Sequence, residues 1–116
     1  MISTKQLDEG QLATLRLLRN GQLLGSLIRT YRNQTQQQLI EMHQALDARD
    51  TATIASIAHS LKSASFTLGA TQMGQLSSAL ESAAMQCDVK QCNSIMMAMQ
   101  ESYAALLSEL AREEQA

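Results

Sequence analysis

The chain has 116 residues, of which 45% are hydrophobic, 17% charged and 3% aromatic, and its formal net charge is −2. This length allows one compact core and is too short for a cofactor domain joined to a substrate domain. The weakly negative charge and the scarcity of aromatic side chains exclude the basic patches and stacking platforms by which proteins bind nucleic acids, so we expect no nucleic-acid partner.

The composition favours an all-α fold. The chain has no proline, one valine and one phenylalanine, and it is rich in Leu, Ala, Gln, Met and Glu. All-β folds use proline in turns and edge strands and valine in strands, whereas the abundant residues here are good helix formers. The N-terminus lacks the apolar core of a secretory signal, and no apolar run reaches the length of a membrane span. We therefore expect a cytoplasmic domain that makes no membrane contact.

The first two predicted helices are separated at Asn20-Gly21. A short helix begins after Asp8, a suitable N-cap residue, and continues to about Leu18. A long amphipathic helix follows from about Gln22 to Ala48. Its apolar face is formed by Leu24, Leu27, Ile28, Tyr31, Thr35, Leu39, Met42 and Leu46.

Three more helices follow with short connections. The third is predicted over Thr51–Leu68, with N-cap oxygens at Asp50 and Thr51 and a C-terminal Gly69. Thr71 is the predicted cap of a fourth helix that ends near Gln86, and Asp88 is the predicted cap of a fifth that ends in the charged segment 112–114. The predicted apolar residues of the fifth helix are Cys92, Ile95, Met96, Met99, Tyr103, Leu106 and Leu110.

These elements predict an all-α, antiparallel up-down four-helix bundle with a short extra N-terminal helix. We expect a single domain over residues 1–116, with the bundle core at about 22–112. Bundles of this kind can hold paired Glu-x-x-His metal sites that project inward, but Glu41 and Glu101 have no histidine three positions later, and Glu81 lies on the polar side of its predicted helix. Cys87 and Cys92 do not have zinc-site spacing. We expect no metal site.

His59 is the residue of the third helix that points away from the predicted core. The buried stripe contains Ile54, Ile57, Ala58, Leu61, Ala64, Ser65 and Leu68. One turn before His59 on the exposed side lie Ala55 and Ser56, and one turn after it lie Lys62 and Ser63. Because three of these four neighbours are small, the histidine is accessible to the surface of another protein.

The pairing of His59 with Lys62 is suited to phosphoryl chemistry. A neutral imidazole nitrogen is nucleophilic near pH 7 and can attack phosphorus. An ammonium group one turn away can pair with phosphoryl oxygens. From the spacing alone, an exposed histidine beside an exposed lysine with no chemical role is the more common arrangement and the favoured interpretation.

The surrounding sequence resembles the signature of the histidine-containing phosphotransfer (HPt) domain family. The segment Ala58-His59-Ser60-Leu61-Lys62-Ser63-Ala64, followed by Leu68-Gly69-Ala70, is similar to the family pattern AHxLK with a small next residue and a later LGA. The positions that also match outside this segment are Asp50, Leu76, Leu80 and Glu81. The predicted helix arrangement matches over essentially the whole chain.

The resemblance implies a phosphorelay intermediate without ATPase or kinase activity of its own. His59 is then expected to accept a phosphoryl group from the phospho-aspartate of one receiver domain and to pass it to the aspartate of another. Lys62 would stabilise the transferring group, and Gly69 would allow the turn after the helix. Ser63 stands where the family commonly has glycine. No cofactor is expected, because the Mg²⁺ used in transfer belongs to the receiver.

The expected partners are response-regulator receiver domains, a hybrid sensor kinase, or both, bound by a monomer. The expected docking residues are Ala55, Ser56, Ser63 and Phe66. Phe66 is either an exposed docking contact or a side chain partly buried against the fourth helix. A helical adaptor that binds a receiver or kinase without carrying phosphate remains the alternative function, and the sequence leaves open whether the chain is free-standing or part of a hybrid kinase.

Overall fold

The computed structural model describes residues 5–115, apart from the side chains of residues 19, 20 and 115. Its helices are α1 (Glu9–Leu17), a 3₁₀ turn (Leu18–Gly21), α2 (Gln22–Asp47), α3 (Thr51–Leu68), α4 (Thr71–Met85) and α5 (Val89–Gln115). Over this part of the chain the only β-type pairing is an isolated bridge between Leu7 and Ala70. The predicted all-α class is confirmed.

Helices α2 to α5 form a closed four-helix bundle in which each helix packs antiparallel to the next. Contacts join α2 to α3, α3 to α4, α4 to α5 and α5 back to α2. The seven residues predicted to form the apolar face of α5 are all buried. Helix α1 adds Leu12 and Leu15 to the same core. The predicted up-down bundle with an extra N-terminal helix is therefore confirmed.

The helix ends follow the predicted caps with one exception. The Asp50 carboxylate accepts from Thr53 N at 3.1 Å, and the Asp88 carboxylate accepts from Gln91 N at 3.0 Å. Thr71, however, is not a cap: it is the first residue of α4, and the N-cap residue is Ala70, which makes no side-chain cap. The prediction was wrong because another segment supplies the acceptor, since Thr71 N donates to Gln6 O at 3.0 Å.

That segment, residues 6–8, fastens the α3–α4 turn to α5. Asp8 N donates to Gly69 O at 2.8 Å. The Glu109 carboxylate on α5 accepts from Gln6 N at 2.8 Å and from Leu7 N at 3.2 Å. Gly69 has φ of 88°, a left-handed conformation that strains residues with a Cβ, as predicted from its position at the helix end. The C-terminal end of α3 is thus held from two sides.

None of the described helices combines the length and apolar character that a membrane span requires.

Candidate functional site

His59 projects from the middle of α3 into solvent, because the buried stripe occupies the opposite side of the helix. The buried residues of α3 are Ile54, Ala58, Leu61, Ser65 and Leu68. The His59 side chain is 67% exposed. Its expected accessibility is confirmed, and a rigid helix of 18 residues presents it.

One carboxylate from the neighbouring helix holds both His59 and Lys62. Glu81 Oε2 lies 2.8 Å from His59 Nδ1, and Glu81 Oε1 lies 2.7 Å from Lys62 Nζ. The side chains of Glu81 and Lys62 are only 19% and 30% exposed. Lys62 is therefore a half-buried, ion-paired lysine, whereas the sequence predicted an exposed one.

The Glu81 carboxylate is ionised at neutral pH. The hydrogen bond from Lys62 lowers the pKa of Glu81 below its usual value, the bond to His59 lowers it further, and partial burial opposes both. A carboxylate can only accept hydrogen bonds. The short contact therefore assigns the proton of the neutral ring to His59 Nδ1.

This tautomer leaves His59 Nε2 with an unshared electron pair on the exposed edge of the ring. Of the small neighbours, Ser56 and Ser63 are exposed and Ala55 is half-buried. A nucleophilic nitrogen on an open surface, oriented by a second side chain, is the arrangement required for direct attack on an electrophile carried by another molecule.

Phe66 lies on the same side of α3 and is both partly exposed and packed against α4. Its side chain is 45% exposed. Its ring also covers Gly74 of α4, where an added Cβ would lie 2.7 Å from Phe66 Cε1. The ring is thus held against α4 and still presents an apolar edge to solvent.

Other titratable side chains do not join this site. His43, the other histidine, lies between α2 and α5 with its Nε2 2.8 Å from Gln100 Nε2. Cys87 is exposed and Cys92 is buried, and both are free thiols. Within residues 5–115, no three His, Cys, Asp or Glu side chains converge as a metal site would require.

Glu81 is the site residue that the sequence prediction missed. It was noted only as a match to the family pattern and as a residue on the polar side of its helix. A signal was present, because α3 and α4 form an antiparallel hairpin about Gly69-Ala70, and residues at similar distances from that turn must face each other. His59 and Glu81 lie ten residues before and eleven after those two positions, respectively.

Comparison with known proteins agrees with this geometry. The family model for the Hpt domain matches residues 26–114. The fold is similar to the crystal structure of histidine-containing phosphotransfer protein B from Pseudomonas aeruginosa PAO1, with a TM-score of 0.90, 25% sequence identity and coverage of 97% of each chain. No curated protein matches the chain significantly. Because the family model covers most of the chain and the bundle presents a histidine where the family signature places it, the chain belongs to the Hpt domain family of phosphorelay proteins in two-component signalling.

Proposed function

We propose that His59 is the phosphoryl-carrying residue and that Nε2 is the atom that carries the group. The observation that supports this most directly is the Glu81 carboxylate 2.8 Å from His59 Nδ1. It assigns the proton to Nδ1 and leaves Nε2, the exposed nitrogen, able to attack without first losing a proton.

The proposed transfer needs no general base, because the attacking Nε2 carries no proton. The Nε2 electron pair attacks the phosphorus of an aspartyl phosphate on a receiver domain, the N–P bond forms, and the P–O bond to the aspartate breaks. The aspartate leaves as a carboxylate. The phosphorylated ring retains its Nδ1 proton and gains positive charge, which the Glu81 carboxylate stabilises. The reverse sequence delivers the phosphoryl group to the aspartate of a second receiver.

Lys62 has N–H donors that Glu81 does not use and that are available to the transferring group. Its ammonium has three N–H donors, and Glu81 Oε1 accepts one of them at 2.7 Å. The remaining donors can pair with phosphoryl oxygens, over which the negative charge of the transition state is spread. Glu81 thus positions the lysine as well as the histidine.

The receiver, or the receiver of a hybrid sensor kinase, covers a docking face that includes Ala55, Ser56, Ser63 and Phe66, and the receiver supplies the Mg²⁺. The protein itself acts as a monomeric, cytoplasmic carrier without a cofactor or an ATP-cleaving site. The turn at Gly69 holds the C-terminal end of the active helix.

The test is transfer of radiolabelled phosphate from phosphorylated receiver domains, together with direct labelling by phosphoramidate, which requires no receiver. We expect both routes to label the protein with an acid-labile, alkali-stable phosphoryl group. His59→Gln should abolish labelling, and His43→Gln, which replaces the other histidine, should retain it. Equal labelling of His59→Gln and wild type would overturn the proposal. Receiver binding without any labelling would support the adaptor alternative.

A further inference from the structure

The face around His59 is almost free of charge. Between Thr51 and Gln86, a stretch that contains all of α3 and α4, the only charged side chains are Lys62 and Glu81. These two form an ion pair at 2.7 Å and neutralise each other. The stretch of α2 that packs beside the middle of α3, residues 33–40, contains no charged residue.

Many of the charges are instead gathered toward the two ends of the bundle. At one end, Arg16 pairs with Glu113, and Arg32 pairs with Glu114. At the other end, the α2–α3 and α4–α5 turns carry Asp47, Arg49, Asp50, Asp88 and Lys90. The uncharged middle is therefore a feature of one face, since the chain as a whole has 20 charged residues, nine basic and eleven acidic.

A partner that reaches His59 must cover this uncharged region. A stable interface buries about 800 Å² on each partner, which corresponds to a disc of about 16 Å radius. Since an α-helix rises about 1.5 Å per residue, such a disc spans about ten residues of α3 on either side of His59, with the adjoining sides of α2 and α4. Its rim therefore includes the charged residues Arg49 and Asp50 of the α2–α3 turn, while its centre is uncharged. Glu41 lies at its edge, where its carboxylate accepts from Gln37 Nε2 at 3.1 Å.

The α2 side of this region is a shallow groove lined by side-chain amides. Its lining residues are Asn33, Gln34, Gln37, Gln38 and Ser60. Ser60 follows His59 in α3 and lies about 100° further around the helix, where it accepts from Gln38 Nε2 of α2 at 3.4 Å, so the groove adjoins the site on its α2 side. Amides both donate and accept hydrogen bonds and carry no net charge. They can recognise a partner by the pattern of its polar groups but cannot attract it over a distance.

We infer that the receiver domain that exchanges phosphate with His59 docks across the amide-lined α2–α3 groove, and that it is recognised by uncharged hydrogen bonds and apolar contacts. The inference rests on the proposed function of His59 and specifies the chemistry of its partner. The receiver surface that faces the groove should itself be uncharged and polar. Without charge steering, association should be slow and nearly independent of salt, at about 10⁵–10⁶ M⁻¹ s⁻¹.

The experiment uses the full chain and a panel of receiver domains from the same genome, each phosphorylated with acetyl phosphate. The second-order rate constant of transfer from the fastest donor is measured between 50 and 500 mM NaCl, concentrations over which the Debye length falls from about 14 to about 4 Å. We expect the rate constant to change by less than about threefold. A fall of tenfold or more would overturn the inference, because it would require charge steering.

Two isosteric variants test the location of the groove. Gln34→Glu places an unpaired carboxylate in the groove, and we expect it to slow transfer at least about tenfold, because a charge desolvated without a partner weakens binding strongly. The matched control is Gln36→Glu, on the side of α2 that faces Tyr103 of α5, which should stay within about twofold of wild type. Equal effects of the two variants would overturn the inference.

Phosphoramidate labelling distinguishes failure of the proposed function of His59 from failure of the docking inference. If phosphoramidate and every receiver fail to label His59, the proposed function is wrong and the docking inference falls with it. If labelling and transfer proceed but Gln34→Glu behaves like wild type, the carrier role stands and only the docking inference is wrong.

Discussion

Replacing Gly74 by alanine would test how Phe66 is held on the docking face. Gly74 is buried within α4, and an added Cβ would lie 2.7 Å from Phe66 Cε1 and 2.8 Å from Cζ. Carbon atoms in contact normally stay about 3.5–4.0 Å apart. The aromatic ring must therefore shift by about 1 Å or rotate into solvent.

Two opposing effects set the expected stability. Exchanging glycine for alanine inside a helix stabilises it by about 1 kcal/mol. Phe66 is 45% exposed, so about half of its surface is buried. Full burial of phenylalanine is worth about 1.5–3 kcal/mol, so releasing this ring costs at most about 1.5 kcal/mol. We expect Gly74→Ala to change the free energy of unfolding by less than about 1 kcal/mol, because the effects nearly cancel.

The cancellation should disappear when Phe66 is removed. In a Phe66→Ala background the added methyl group meets no ring, so Gly74→Ala should stabilise by about 1 kcal/mol, a coupling of about 1–1.5 kcal/mol. Urea unfolding of the four proteins, followed by circular dichroism, measures this cycle. Gly25→Ala is the control, since its added Cβ would meet only the Arg29 side chain at 3.6 Å. Equal stabilisation by Gly74→Ala in both backgrounds would refute the contact.

Three further outcomes are expected. Burial raises the pKa of Tyr31 to about 12. Because an unfolded tyrosine loses its proton near pH 10, the contribution of Tyr31 to the free energy of unfolding is fully present below pH 10 and falls by about 3 kcal/mol between pH 10 and pH 12. Tyr31→Phe should flatten that decline in urea titrations, and an unchanged slope would contradict it. Thr35 Oγ1 is buried and makes no hydrogen bond of normal geometry, although it lies close enough to the Tyr31 hydroxyl to lower the pKa of Tyr31 slightly. Thr35→Val should therefore stabilise by about 1 kcal/mol, and destabilisation would show that the contact with Tyr31 acts as a hydrogen bond. The ¹⁵N NMR spectrum of His59 should show the proton on Nδ1 in wild type and mixed tautomers in Glu81→Ala, and a proton on Nε2 in wild type would exclude the proposed nucleophile.

The fold could be predicted closely because its determinants are local. Helical periodicity and capping residues such as Asp50 and Gly69 placed most helix ends within one or two residues of their positions in the structure. The exception at Thr71 has a non-local cause, since the segment 6–8 supplies its acceptor. That segment is held by Glu109, more than 100 residues away in the chain, and no local pattern predicts such a contact.

The site could be predicted only in part, for the same reason. His59 and Lys62 lie one turn apart on a single helix, so their proximity follows from helix geometry. Glu81 comes from another helix, and its contact with both depends on the register between α3 and α4. The half-burial of Lys62 follows from that contact, whereas the helix pattern of α3 alone predicts a more exposed lysine.

Glu81 also determines what phosphorylation changes on this surface. Because its carboxylate neutralises Lys62, the unphosphorylated face has almost no net charge, and the bundle that supports it is rigidly packed beneath α3. A phosphoryl group adds about 1.5–2 negative charges at neutral pH. On a face crowded with other charges this addition would be a modest change, whereas here it supplies nearly the whole local field. If His59 is the phosphorylated residue, we expect a receiver to distinguish the two states mainly by this added charge.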